Sequence, residues 1–320
     1  MAADVRRARA DVARARAVVD GEALRLVARI KQRVAEVRYH ERALDALLKS
    51  EAVAVQFVTL ASERLTSGAG SLFDVTKART ELAQLNYDRI RFEELLRLSR
   101  ARLNSSLNRS PRAPLQPMPE LALATAPAEV ETLYTRALAK APGMRERDAV
   151  IGNQEALVDR ARGRLFPDVM VGAQLMINGP ATVGTPPDSG EDAVGVSVGI
   201  SLPIWVWADR ASIRSAEAGM AAAIHAKRAY VLDLLSEIED VWLRHRAAVR
   251  LVDLYDSTLL PQAQTALADA EAWRRTGSTT FAEFLDARAT LYRFELARER
   301  AWADAVSAEA SLEGLVGGPL

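Results

Sequence analysis

The sequence predicts a mainly α protein, built of long antiparallel helical hairpins with one β-hairpin of bilayer-crossing length. Ala, Leu and Val supply most of the apolar area, since hydrophobic residues make up 49% of the chain and aromatics only 6%. That profile suits long, closely packed helices. Apolar residues recur at three- and four-residue spacing over most of the chain, as in Leu44, Leu47 and Leu48 followed by Val53, Phe57 and Leu60. Two short segments switch instead to alternation, the period of a strand.

With 320 residues and 34.9 kDa, the chain is long enough to bury a core without covalent staples. It has no cysteine, which excludes disulfides, thiolate metal sites, cysteine nucleophiles and cysteine-linked acyl anchors. Lys+Arg and Asp+Glu both number 42, so no basic excess draws nucleic acid and no such partner is expected. The start, Met1-Ala2-Ala3-Asp4-Val5-Arg6-Arg7, lacks the apolar stretch of a signal peptide. Read as written, the chain would stay in the cytoplasm. Asp4, Asp11 and Asp20 among the arginines favour a solvated helix face over a transit peptide or a nucleic-acid arm. The longest uncharged run, Val169 to Pro187, carries too many Gly and Pro residues for a lipid-exposed helix.

Helix is expected over 2–109, interrupted by a turn at Thr66-Ser67-Gly68-Ala69-Gly70-Ser71. Ser71 and Asp74 fit a capping box that restarts it. Pro111, Pro114, Pro117 and Pro119 make 110–128 an extended linker. A new helix opens at Pro127, Glu129 and Glu131, breaks at Pro142-Gly143 and runs on to about Leu165. Strands follow at 169–177 and 194–206, separated by a Gly- and Pro-rich loop and closed by Trp205 and Trp207. Helix returns over 208–316, with a kink or break expected at Pro261, a turn at 275–279 and a second capping box at Thr280 and Glu283.

The two turns are related. An offset of 209 residues places Gly68 on Gly277, Ser71 on Thr280, Asp74 on Glu283, Arg79 on Arg288 and Leu82 on Leu291. Such self-similarity marks a duplicated unit, here helix, glycine turn, helix. The expected organisation is a first repeat over 1–109 that lacks its start, a proline-rich linker over 110–128, and a second repeat over 129–320. The second repeat holds a helix, a β-hairpin at 168–206 and a long helical hairpin at 208–316.

Little in the sequence carries chemistry. His40, His225 and His245 stand in separate helical stretches without metal-ligand spacing. Gly68-Ala69-Gly70 lacks the rest of a dinucleotide fingerprint, and no P-loop, nucleophile elbow or metalloprotease motif is present. No enzyme activity and no cofactor are expected. The strands are more informative. Val169, Val171, Leu175 and Ile177 of the first share a face, as do Val194, Val196, Val198, Ile200 and Leu202 of the second. The opposite face of the second strand is small or hydroxylic. A lipid-facing barrel strand has this pattern and about this length. A half-buried soluble hairpin has the same alternation. Open edges are not tolerated in lipid, so a membrane reading needs several copies of the chain.

The layout resembles the TolC-like outer-membrane efflux protein family. Arg160-Ala161-Arg162 with Leu165-Phe166-Pro167-Asp168 is similar to the family's entry into its second barrel hairpin. Gly195-Val196-Ser197-Val198-Gly199-Ile200-Ser201-Leu202-Pro203-Ile204 is similar to the returning strand. Arg274 to Gly277, then Phe281, Phe284-Leu285-Asp286-Ala287 and Leu291, resembles the hairpin-tip signature, and Leu312-Glu313-Gly314-Leu315-Val316-Gly317 the helix end.

The resemblance implies a homotrimer whose strands share one outer-membrane barrel and whose helices form a periplasmic tunnel of coiled coils. It implies a periplasmic adaptor and an inner-membrane pump as partners, outer-membrane lipid around the barrel, and passive export of small molecules or metal ions. The tips that would meet the adaptor are Thr66, Ser67, Gly68, Ala69, Gly70 and Ser71, and Arg275, Thr276, Gly277, Ser278, Thr279 and Thr280. Family members carry an export signal and a first strand hairpin, so the natural chain is expected to extend upstream of Met1. Two alternatives stand beside this reading: a soluble helical scaffold with a partner-binding β-hairpin, and a non-functional fragment of such a channel.

Overall fold

The computed structural model describes residues 2–116, 129–177, 179, 183–184, 192–202, 205–276 and 281–320, with the backbone alone at 272–276 and 281–282. Its elements in order are α1 (Ala2–Thr66), α2 (Leu72–Ser106), α3 (Val130–Lys140), α4 (Pro142–Gly163), β1 (Asp168–Met176), β2 (Ala193–Ser201), α5 (Val206–Leu254), a π-helical turn (Tyr255–Leu259), α6 (Leu260–Thr276) and α7 (Phe281–Val316). The two strands form one antiparallel sheet. The chain divides into two compact units, one of Met1–Ala17 with Arg145–Tyr230 and one of Val18–Met144 with Val231–Leu320.

In the first unit the start of α1 lies along α4. Ala17, Ala156, Val158 and Ala161 are buried, and a Cβ on Gly152 would stand 4.0 Å from that of Ala10. The arginines of α1 pair with acids of α4: Arg6 with Asp159 at 2.9 Å and Arg14 with Glu146 at 3.5 Å. Arg160 of α4 answers Asp4 at 3.4 Å. The Arg-rich start is thus a helix face knitted to a neighbouring helix. These pairs are largely exposed, where each contributes at most about 1 kcal/mol.

In the second unit the buried face of α1 steps through His40, Ala43, Leu47, Ser50, Ala54, Phe57 and Ala61. This alternating three- and four-residue spacing is that of a coiled-coil seam. It packs on Leu85 and Phe92 of α2 and Tyr292 of α7. Farther along, Ala35 meets Val252 of α5 and Trp302 and Val306 of α7. α2 and α7 begin at residues separated by the same 209 positions that separate Lys77 from Asp286, an ion pair across the two helices.

Local signals act where the sequence places them. Ser71 caps α2 and receives the Asp74 N–H at 3.1 Å, while the Asp74 carboxylate accepts from the Ser71 N–H at 3.2 Å. The counterpart at Thr280 lies outside the described residues. The break at Pro142 is present, since α3 ends at Lys140 and α4 starts at Pro142. α2 ends in left-handed Asn108 (φ 54), with Arg109 N–H on the Asn104 carbonyl at 2.9 Å, a helix stop that Asn can occupy. The buried Asn104 side chain donates to the carbonyls of Pro111 and Ala113, tying the first part of the linker to the helix end. The rest of the linker, 117–128, lies outside the described residues.

One expectation is corrected. The second strand does not run to 206: it ends at Ser201, and α5 starts at Val206. The Trp205 carbonyl already accepts from the N–H groups of Ala208 and Asp209, a helical first turn. Trp205 therefore precedes a helix and Trp207 lies inside it. Pro203 and Ile204, also expected in the strand, lie outside the described residues. At Pro261, where a kink or break is expected, the regular α-helix is interrupted while the helical run continues. Proline lacks the N–H for the i−4 bond and its ring crowds that carbonyl. The chain absorbs this as one wide turn, Tyr255–Leu259, with the Leu260 N–H reaching back to the Tyr255 carbonyl.

Candidate functional site: a β-hairpin face and a helical hairpin tip

β1 and β2 pair Val169 with Ile200, Val171 with Val198, Ala173 with Val196 and Leu175 with Val194. Directly opposed residues share a face, so the aliphatic residues of both strands form one continuous stripe. Ile177 and Leu202 lie one residue beyond the strand ends. The nine aliphatic positions expected to face lipid are exposed by 64% to 77%. The other face sets Met170 opposite Gly199, Gln174 opposite Gly195 and Gly172 opposite Ser197. The glycines there make room: a Cβ on Gly172 would stand 2.8 Å from Ser197 Oγ, and one on Gly195 would stand 3.2 Å from the Gln174 side chain.

Each strand has nine residues, about 30 Å of extended chain. A two-stranded ribbon with an exposed aliphatic face is marginal in water, and among the described residues its outer edges have no strand partner. Such a face is suited to an apolar medium or partner. At the base of the hairpin, Phe166 and Leu202 are exposed, while Trp205 and Trp207 meet edge to face at 5.0 Å.

The first tip is closed by hydrogen bonds. Gly68 adopts a left-handed φ of 74°, its N–H donates to the Leu65 carbonyl, and the Ala69 N–H donates to the Arg64 carbonyl at 2.9 Å. This is a Schellman helix end. Gly70 passes so close to α1 that a Cβ would lie 2.9 Å from Arg64 Cβ. Thr66 and Ser67 turn their hydroxyls onto the Glu63 and Arg64 carbonyls. Thr66, Ser67, Gly68, Ala69 and Ser71 are exposed and Gly70 is half-buried.

Beneath the tip, Phe57 and Ala61 of α1, Val75 and Ala78 of α2, and Phe284 and Leu285 of α7 share one cluster, with Leu267 and Ala270 of α6 against it. The Phe57 and Phe284 rings are 4.6 Å apart, and Lys77 Nζ is 3.0 Å from Asp286 Oδ1. The end of α6 and the start of α7 thus converge on the first tip. Of the second turn, Arg275 and Thr276 end α6, whereas Gly277, Ser278, Thr279 and Thr280 lie outside the described residues.

Sequence reading missed Leu72 and Phe73, which stand 68% and 67% exposed at the tip. The Ser71 cap orients the helix so that Val75 and Ala78 point inward and Leu72 and Phe73 outward. It also missed Asn104, whose role depends on carbonyls beyond the helix end. Among the described residues no group of His, Cys, Asp or Glu could hold a metal ion, and no helix is long and apolar enough to cross a membrane. The histidines lie on α1 and α5, as helical residues.

The fold is that of solved outer-membrane channels. The OprN channel aligns with a TM-score of 0.82 and 21% identity, over 99% of this chain and 71% of its own. VceC from Vibrio cholerae aligns at 0.84 and 22%, over 99% and 75%. CusC aligns at 0.85 and 16%, over 98% and 73%. No curated protein matches the sequence. The sequence profile described as outer membrane efflux protein matches residues 133–318, more than half of the chain. With the TolC-like fold and that match together, the chain belongs to the outer membrane efflux protein family.

Proposed function

We propose that the protein is a subunit of an outer-membrane efflux duct, with its β-hairpin in the outer membrane and its long helices in the periplasm. The observation that carries this reading is the hairpin, with a continuous aliphatic face on one side, small and polar residues on the other, and two edges unpaired among the described residues. Lipid suits the first face and a barrel lumen the second. The edges require strands from other copies, and a trimer supplies them. The helical hairpins are then two copies of one duplicated unit, joined through the linker at 110–128. The tips at 66–71 and 275–280 face a periplasmic adaptor, where small residues and exposed Leu72 and Phe73 let another helical hairpin approach closely. The adaptor connects the duct to an inner-membrane pump, which drives export of small molecules or metal ions. The duct itself is passive.

The test is fractionation of the native protein. It is expected in the outer membrane, resistant to carbonate extraction, and to migrate as a trimer after mild solubilisation. Recovery in the carbonate wash would overturn the reading.

A further inference from the structure

Between α1, α2 and α7, one layer in from the tip cluster, lies a small cavity lined by Ser50, Phe57, Glu81, Leu85, Arg288 and Tyr292, with about 20 Å³ open to the centre of a water molecule. One water centre needs roughly 10–15 Å³ and two to four polar partners. Ser50 and Tyr292 are only 4% and 7% exposed. The Ser50 hydroxyl, the Tyr292 hydroxyl and the Arg288 Nε–H are buried and have no hydrogen-bond partner among the described residues. An unpaired buried polar group is destabilising, and all three belong to residues that line this one cavity.

We infer that this cavity is a binding site for a single structural water, which accepts from Arg288 Nε and exchanges hydrogen bonds with the hydroxyls of Ser50 and Tyr292. Arginine donates only, whereas each hydroxyl can donate or accept. One water therefore satisfies all three groups. Tyr292 keeps its phenolic proton, because burial and the nearby Asp88 carboxylate raise its pKa. Arg288 and Tyr292 stand four residues apart on one face of α7, and Ser50 falls between Leu47 and Ala54 in the α1 seam. The hydrated layer thus fixes the register of α7 on α1, because a slip would set these polar groups against apolar neighbours. The inference rests on packing alone and is independent of the membrane reading.

The test is a high-resolution crystal structure of the whole chain. A density peak is expected at about 2.7–3.2 Å from Ser50 Oγ, Tyr292 Oη and Arg288 Nε, and it should vanish in the double variant S50A/Y292F. In thermal unfolding, the double variant should lower the midpoint by less than the sum of the two single shifts, because either substitution already releases the shared water. A wild-type cavity without density would overturn the inference, as would Ser50 turned onto the Ala46 carbonyl or strictly additive shifts. If the variants do not fold, the wild-type density decides alone.

Discussion

His40 sits in the α1 seam, its ring centroid 5.1 Å from that of Tyr39 and 6.3 Å from that of Phe92. Burial holds its pKa below the ordinary value. Glu36, one turn earlier, pulls it up, and Arg300 of α7 pushes it down. The folded-state pKa is therefore below the unfolded value of about 6.5, so protonation favours unfolding. The stability that His40 contributes is full above about pH 6.5 and lost as the pH falls below it. The thermal midpoint is expected to drop between about pH 7 and pH 5, and His40→Gln should flatten that part of the profile. An unchanged slope in the variant would assign the titration elsewhere. Glycine chemistry is equally local. Gly68→Ala forces a side chain into a left-handed φ and should cost about 1–2 kcal/mol. Gly68→Asn should cost less, since Asn visits that region. Gly70→Ala meets Arg64 Cβ and the α1 backbone and should cost about 1–3 kcal/mol. Thermal unfolding of the three variants checks the order.

At the scale of elements, the β-hairpin carries the sharpest prediction, because its two faces differ. Val198 lies mid-strand on the aliphatic stripe, and Ser197 points the other way, opposite Gly172. In the proposed barrel, Val198→Lys should cost about 2–4 kcal/mol at mid-membrane. The expected outcome is a clear loss of carbonate-resistant protein, with Ser197→Lys close to wild type. Equal behaviour of the two variants would mean that lipid does not cover the stripe. The helices show a different economy of signals. The Tyr255–Leu259 π-turn exists because Pro261 cannot donate, and α1, which has Ala52 at the corresponding repeat position, runs through as regular α-helix.

At the scale of the molecule, the second unit is organised by the seams that join α1, α2, α5 and α7. Phe284 is central to the layer beneath the tip. Phe284→Ala should destabilise the protein by about 3–5 kcal/mol through the cavity it leaves. Phe57 touches it, so the double variant with Phe57→Ala should fall short of additivity. Midpoints of the two single variants and the double variant measure this, and limited proteolysis should cut the 66–71 turn faster in Phe284→Ala. The exposed Lys77–Asp286 pair spans the same layer but contributes at most about 1 kcal/mol. Apolar packing therefore holds the tip together.

Helix periodicity, strand alternation, the Ser71–Asp74 box and the Pro142 break were all legible in the sequence. Each depends on residues within a few positions of one another, where the backbone sets the geometry. The chain order of helices, glycine turn and alternating strands also carried the family resemblance, since these signals sum along the chain. Other features needed the tertiary structure. The alternation continues through Val206, yet β2 stops at Ser201, because pairing ends where β1 begins at Asp168 and the Trp205 carbonyl enters a helical turn. Asn104 is an ordinary helical residue until the chain folds back to offer it the carbonyls of Pro111 and Ala113. The exposure of Leu72 and Phe73 shows only once Val75 and Ala78 are seen to take the inward positions. Ser50, Arg288 and Tyr292 share one cavity only because α1 and α7 pack in a particular register. Local sequence specifies which elements form, whereas contacts between residues far apart in the chain depend on how those elements meet.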